Sequence, residues 1–213
     1  MNEETKSIQL PEPTLRRLPW YLAYVNMLRS QHIEYVSSTQ ISKKLNVDAS
    51  QISKDLSFLN IKGKTRIGYQ VEHLANELSV FLDFYKSHSA FMVGVGSLGS
   101  ALIQDSGLMQ YGLHIVAGFD VDEKIVGKDI CGVPIFYISE LRGKQQVYNA
   151  EIGIVAVPVE YAQQSADLLV DAGVKAIWNF TPYRIKVGDD VVIQNTSIYA
   201  HLAVMYNRLN GKK

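Results

Sequence analysis

The feature that most constrains this chain is Gly94-Val95-Gly96-Ser97-Leu98-Gly99, which follows the apolar run Phe91-Met-Val93 and leads into a helix-like segment. Asp120 closes a second apolar run about 20 residues further on, the spacing of a dinucleotide-binding βαβ unit. Each glycine has its own task in such a unit. Gly94 permits the tight turn, Gly96 lets backbone approach a pyrophosphate, and Gly99 allows close helix–strand packing. The helix N-terminus then faces the pyrophosphate charge. The motif begins near the middle of the chain, so something of domain size precedes it.

From Ala90 onward the pattern alternates strand and helix, as a parallel sheet with crossover helices requires. Expected strands are Phe91–Val95, Ile115–Asp120, Val133–Phe136, Ile152–Val157, Ala176–Asn179 and Val191–Gln194. Asp120 is expected to hydrogen-bond an adenosine ribose, and a carboxylate there repels a 2′-phosphate. The residues that follow, Val121-Asp-Glu123, add no arginine to welcome one, which predicts NAD(H) over NADP(H). Val157, Pro158, Phe180 and Thr181 stand at the carboxyl ends of later strands, where the crevice of such a sheet would hold the rest of the cofactor.

Ahead of the motif, Leu15, Leu18, Leu22, Val25 and Leu28 recur at spacings of three and four, an amphipathic helix after a polar leader punctuated by Pro11 and Pro13. Ser37-Ser-Thr-Gln40 has capping-box spacing ahead of Ile41 and Leu45, and Asp48-Ala-Ser-Gln51 repeats the device ahead of Ile52, Leu56 and Leu59. Two capped helices meeting across Asn46-Val47 give a helix-turn-helix arrangement. Ser50, Gln51, Ser53, Lys54 and Ser57 lie on the polar face of its second helix. Ile61–Tyr69 reads as a short hairpin turning at Gly63, with Lys62, Lys64 and Arg66 projecting. Together these elements suggest a winged helix, whose wing would bind phosphates while its helix chooses sequence. A protein-contacting winged helix with an ordinary solvated face is the alternative.

Charge separates the two possibilities only locally. The chain's 21 basic and 21 acidic residues cancel, but residues 43–66 hold Lys43, Lys44, Lys54, Lys62, Lys64 and Arg66 against Asp48 and Asp55. The lone Cys131 excludes an intrachain disulfide and reads as a small packed residue. With no signal pattern and no apolar run long enough to span a bilayer, the protein reads as cytoplasmic.

Hydride transfer needs a proton donor or acceptor beside the nicotinamide and a substrate pocket. No Tyr-x-x-x-Lys occurs, and His201 alone among the histidines is late enough to serve. It falls in the final helix, where a partly buried structural role is expected. Ile198, Leu202, Met205 and Leu209 form one apolar stripe of that helix, with Tyr199, Ala203 and Tyr206 beside it. A stripe this wide at a chain end is expected to pack against another subunit, and a homodimer suits two half-sites on DNA.

The chain resembles the Rex redox-sensing transcriptional repressors over nearly its full length. The resemblance is carried by Leu15-Arg-Arg-Leu-Pro19, Ser37-Ser38, Val47-Asp-Ala-Ser-Gln51, Lys54-Asp-Leu-Ser57, Gly68-Tyr69, Gly94–Gly99, Phe119-Asp-Val-Asp122, Gly132-Val-Pro134, Val157-Pro158 and Asn179-Phe180. It implies an α/β fold with an N-terminal all-α winged-helix DNA-binding domain (1–86), a Rossmann-type parallel sheet (87–194) and a swapped C-terminal dimerisation helix (195–213). It further implies a homodimer on double-stranded operator DNA, released when NADH rather than NAD⁺ occupies the sheet domain. By that resemblance, operator contacts fall around Gln51, Ser53 and Lys54 and on Lys64 and Arg66. Family members often link an arginine of the first helix, here Arg17, to a tyrosine after the first nucleotide-domain helix and an aspartate opening the last helix. Asp105 and Ser197 stand in those two places, so Asp105 is expected to pair with Arg17 instead. Ile198 stands where an aromatic residue often closes the nicotinamide pocket. Two rivals remain: a small NAD-dependent oxidoreductase with a helical appendage, and a DNA-binding regulator that senses another nucleotide such as coenzyme A.

Overall fold

A computed structural model describes residues 10–59 and 61–211, and the chain divides into two compact units, residues 1–85 and 86–213. The leader's first nine residues and the last two of the segment 195–213 lie outside the described residues.

The first unit is built on helices α1 (Glu12–Ser30), α2 (Ser38–Leu45), α3 (Ala49–Ser57) and α4 (Val71–Phe81), with short strands β1 (Tyr35–Val36) and β2 (Tyr69–Gln70). Leu18, Leu22, Val25 and Leu28 of α1 share one core with Leu74, Ala75 and Leu78 of α4 and with Ile41, Ile52 and Leu56. The expected stripe is shifted at its start. Leu15 is 40% exposed, and Thr14 and Tyr21 are buried in register with the leucines.

Ser37 makes the full capping box: its Oγ accepts from Gln40 N at 3.1 Å, while Gln40 Oε1 accepts from Ser37 N at 2.7 Å. Asn46 ends α2 in the left-handed region at φ 54°, where asparagine is tolerated. Asp48 caps α3 by accepting from Ser50 N at 2.7 Å, but the second box is only half made because Gln51 reaches forward to Asp55. The Ser50 hydroxyl and backbone bonds hold the exposed Asp48 carboxyl below its ordinary range.

The wing turns later than the sequence pattern predicts. Lys64 and Gly68 form the bridge, Gly68 N donates to Lys64 O at 2.9 Å, and Thr65-Arg66 is the tip. Gly63 is not among the residues at positive φ, whereas Arg66 (64°) and Gly68 (103°) are. Gly68 is also the position where a Cβ would meet the Val36 carbonyl, so glycine is required there.

The second unit carries a seven-stranded sheet. Its elements are β3 (His88–Val93), α5 (Ser97–Gln104), α6 (Ser106–Gln110), β4 (Leu113–Asp120), β5 (Asp129–Ile130), β6 (Val133–Tyr137), α7 (Leu141–Tyr148), β7 (Ile152–Val155), α8 (Ala162–Asp171), β8 (Ala176–Asn179), β9 (Val192–Asn195) and α9 (Ile198–Asn210). The strand order is β5-β6-β4-β3-β7-β8-β9, parallel except for β5, which pairs antiparallel with β6. Without that edge strand this is the doubly wound Rossmann order, reversing between β3 and β7. Both faces of the sheet are covered: Phe91 and Val93 join one core with Leu169 and Ile177, while Ala90 and Met92 join another with Ile103, Ile135 and Ile154.

Two smaller expectations change. Cys131 is exposed rather than packed, at φ 53° in the turn between β5 and β6, and His201 is exposed on α9. No described helix is long and apolar enough to cross a membrane.

Candidate nucleotide site and nucleic-acid interface

The glycine loop sits where the sheet order reverses. Gly94 leaves β3 at φ 87°, and a Cβ on it would lie 2.5 Å from the Ala156 carbonyl oxygen, beyond the end of β7. A Cβ on Gly99 would run into the Gly94 carbonyl. Gly96 is different, because a Cβ there would meet nothing within 4 Å. Packing within the chain therefore demands the outer two glycines, while Gly96 keeps open space that only a bound group would use.

Asp120 is fixed beside that space. Its Oδ2 accepts from Val95 N at 2.6 Å, and its Oδ1 accepts from Val121 N at 2.7 Å and Asp122 N at 3.0 Å. Backbone amides thus set the carboxylate's position and leave lone pairs for further donors. A cavity of about 470 Å³ opens here, lined by Gly94, Gly96, Asp120, Val121, Val157 and Pro158 among others. It brings together much of the predicted cofactor set, but not all of it. Val95, Ser97, Leu98 and Gly99 form the loop and helix behind the lining, and Phe180 and Thr181 lie outside it. Phe180 packs against Trp178 with ring centroids 4.6 Å apart and ring planes 44° apart. Buried Thr181 donates its hydroxyl to Asn179 Oδ1 at 2.8 Å. Besides the strand-end residues Val93, Phe119 and Ala156, sequence reasoning missed Ile138, Tyr161, Gln164, Ser165 and Leu168 in the wall. Ile138 was within reach, since it follows the strand next to β4 at the carboxyl edge where ligands bind.

In the first unit, Lys54, Lys62, Lys64 and Arg66 are exposed, and none makes an ion pair among the described residues. Lys64 Nζ lies 5.8 Å from the Tyr35 ring centroid, which tethers the wing base. Of the region's two acidic residues, Asp48 is a cap and Asp55 is fully buried. The surface is therefore more positive than the residue count predicts.

Asp55 is the feature sequence reasoning overlooked. Its Oδ1 accepts from Thr14 Oγ1 (3.0 Å), Arg17 Nη2 (2.8 Å) and Gln51 Nε2 (2.8 Å), and its Oδ2 accepts from Arg17 Nε (2.7 Å) and Tyr21 Oη (2.7 Å). Burial alone would raise this carboxyl, yet the bonds from Arg17, Tyr21, Gln51 and Thr14 outweigh it and hold the group at about 2. Tyr21 is pushed up in turn, first by burial and then by donating to Asp55. The spacing of Thr14, Arg17 and Tyr21 on one face of α1 was the available signal.

The residues expected to couple the two halves have other partners. Arg17 forks onto Asp55, a buried carboxylate that a bidentate cation compensates. Asp105 caps α6, accepting from Gly107 N at 2.8 Å, and Ser197 caps α9, accepting from Ala200 N at 3.2 Å.

Residues 9–57 match the family described as “Putative DNA-binding protein N-terminus”, and residues 85–183 match “CoA binding domain”. The redox-sensing transcriptional repressor Rex of Bacteroides thetaiotaomicron is 57% identical over 95% of this chain and 92% of its own length. That of Porphyromonas gingivalis is 52% identical over 95% and 93%. The chain belongs to the Rex family of redox-sensing transcriptional repressors. Among solved Rex-family structures, RSP in complex with beta-NAD⁺ and operator DNA superposes with a TM-score of 0.90 at 33% identity, covering 96% of this chain and 94% of that one. RSP in complex with beta-NADH gives 0.84 at 34% identity, covering 95% of each.

Proposed function

We propose that this protein is a homodimeric repressor that binds operator DNA through its first unit and releases it when NADH occupies the second. The observation that carries the reading is Asp120, clamped by three backbone amides beside the opening at Gly96. A carboxylate so fixed suits the two hydroxyls of an adenosine ribose and repels a 2′-phosphate, which favours NAD(H) over NADP(H). The cavity and the open face of Gly96 fit the adenosine half of such a dinucleotide. The backbone of Gly94–Gly99 and the start of α5 would hold the pyrophosphate. Val157 and Pro158, with Phe180 and Thr181 beyond them, would bound the nicotinamide end. When bound, the dinucleotide supplies only its oxidation state. NADH differs from NAD⁺ at the ring by a hydride and a positive charge, and an apolar surround in low dielectric disfavours the cation.

On the DNA side, Lys54, Lys62, Lys64 and Arg66 would contact phosphates and Gln51 a base edge, with Ser50 and Ser53 lining the same helix. Dimerisation through α9 is supported by its large exposed apolar side chains, Ile198, Tyr199, Val204, Met205, Tyr206 and Leu209.

The test is a gel-shift titration of a duplex from the protein's own upstream DNA with NADH, NAD⁺, NADPH and coenzyme A. NADH alone should release the DNA at low concentration. Equal retardation in all four would sink the sensor reading, and release by coenzyme A alone would move the pocket to the ligand named in the matched family description.

A further inference from the structure

The hydroxyls on the outer face of α3 have their protons engaged locally. Ser50 Oγ donates to Asp48 Oδ1 at 2.5 Å, Ser53 Oγ to Ala49 O at 3.0 Å, and Ser57 Oγ to Lys54 O at 2.7 Å. Gln51 is the exception. Its Nε2 donates to Asp55 Oδ1 at 2.8 Å, while its Oε1 accepts no hydrogen bond among the described residues.

Charge decides which way this amide faces. A carboxylate gripped by the Arg17 fork attracts the Gln51 NH₂ and repels its oxygen, so the amide cannot flip without placing two acceptors against each other. The proton that reaches Asp55 while turning the oxygen away is the one trans to Oε1. The amide edge not used by Asp55 then carries Oε1 as acceptor and the cis N–H as donor, side by side. That pair complements the N6 donor and N7 acceptor of adenine in the major groove.

We infer that Asp55 is a positioning residue for base recognition: held by Arg17, Tyr21 and Thr14, it fixes the Gln51 amide in the orientation that reads adenine in each half of the operator. This rests on the DNA-binding reading above. Asp55 itself sits on the buried face of α3, where it is expected to touch no base. Its effect passes through one amide, so it should act at one base position per half-site and leave phosphate binding unchanged.

The experiment is selection of duplexes from a randomised DNA library by the full-length protein, with base preference scored at each position. Wild type, Gln51→Ala, Asp55→Asn and the double variant are compared, with melting and circular dichroism to establish that each is folded. Gln51→Ala should lose preference for an A·T pair at one symmetry-related position, by about tenfold or more. Asp55→Asn should relax that same position, and the double variant should lose nothing further there, because both changes remove one contact. The salt dependence of binding should not change. If Asp55→Asn fails to fold, Tyr21→Phe with Thr14→Val removes two of the five donated bonds and should weaken the same position less. The proposal is overturned if the position is G·C, if the Asp55 variant relaxes several positions alike, or if the two losses add. Selection of no sequence at all by wild type would instead remove the DNA-binding reading.

Discussion

Replacing Asp55 by asparagine should change how acid affects the first unit, and the size of the effect follows from the carboxyl's displacement. Its ordinary value of 3.8 falls to about 2 in the folded chain. A displacement of that size corresponds to stability on the order of 2 kcal/mol contributed by the ionised group at neutral pH. Because the folded value is depressed, the unfolded chain binds more protons between the two values and stability rises with pH across that window. The contribution is complete above about pH 4 and is lost as pH falls through about 2. Other carboxylates titrate in the same range, so the measurement is a difference between wild type and Asp55→Asn. Trp20, 57% exposed on α1 beside Tyr21, reports the first unit by fluorescence once Trp178 has been changed to phenylalanine in both proteins. The wild-type advantage in urea unfolding should shrink steadily from pH 5 to pH 2. Parallel stability curves over that range would refute the reasoning, since they would mean that the Asp55 carboxyl has the same affinity for protons folded and unfolded.

Three further predictions concern the second unit. Gly96→Ala should leave the melting temperature of the ligand-free protein within a few degrees and weaken NADH binding in titration calorimetry, whereas Gly99→Ala, whose Cβ meets the Gly94 carbonyl, should destabilise the unit by about 1–3 kcal/mol in thermal melts. If α9 is the dimer contact proposed above, Met205→Glu, placing a charge among its exposed apolar residues, should sediment as a monomer in analytical ultracentrifugation where wild type sediments as a dimer, and should bind operator more weakly. Asp105→Asn keeps a good helix cap, so stability should move by less than about 0.5 kcal/mol and NADH-dependent release in gel shifts should be unchanged.

What could be read from the sequence was whatever local spacing determines. The glycine loop, Asp120 and the N-caps of α2 and α3 depend on residues a few positions apart or on one βαβ span, and they stand where the pattern puts them, save that the box at Asp48 is only half made. The turn of the wing did not follow from composition, because it is set by the Lys64–Gly68 bridge and by positive φ at Arg66 and Gly68 rather than by the glycine at position 63. The partner of Arg17 was also illegible. Asp55 lies 38 positions away, and only the packing of α1 against α3 brings them together. A charge count treated Asp55 as subtracting from the basic surface, when burial removes it from that surface altogether. The α8 wall of the cavity escaped for the same reason, since Gln164 and Ser165 carry no motif and reach the pocket through the crossover geometry.

The Asp55 cluster also limits how a nucleotide signal can act on α3. Driving a two-state equilibrium from 1:99 to 99:1 takes about 5.5 kcal/mol, or about 2.7 per subunit if two share it. Unlocking α3 from α1 would break the Arg17–Asp55 fork and expose core shared by Leu18, Ile52 and Leu56, a cost that would have to come out of that differential. A switch that leaves the cluster closed and acts on the first unit as a whole avoids that loss. Backbone amides of Ile52 to Ser57 should therefore exchange with deuterium equally slowly with and without saturating NADH, even though the DNA is released. Faster exchange in that helix on adding NADH would show that the cluster opens, and Arg17 would then be the moving part of the switch rather than the anchor of its reading head.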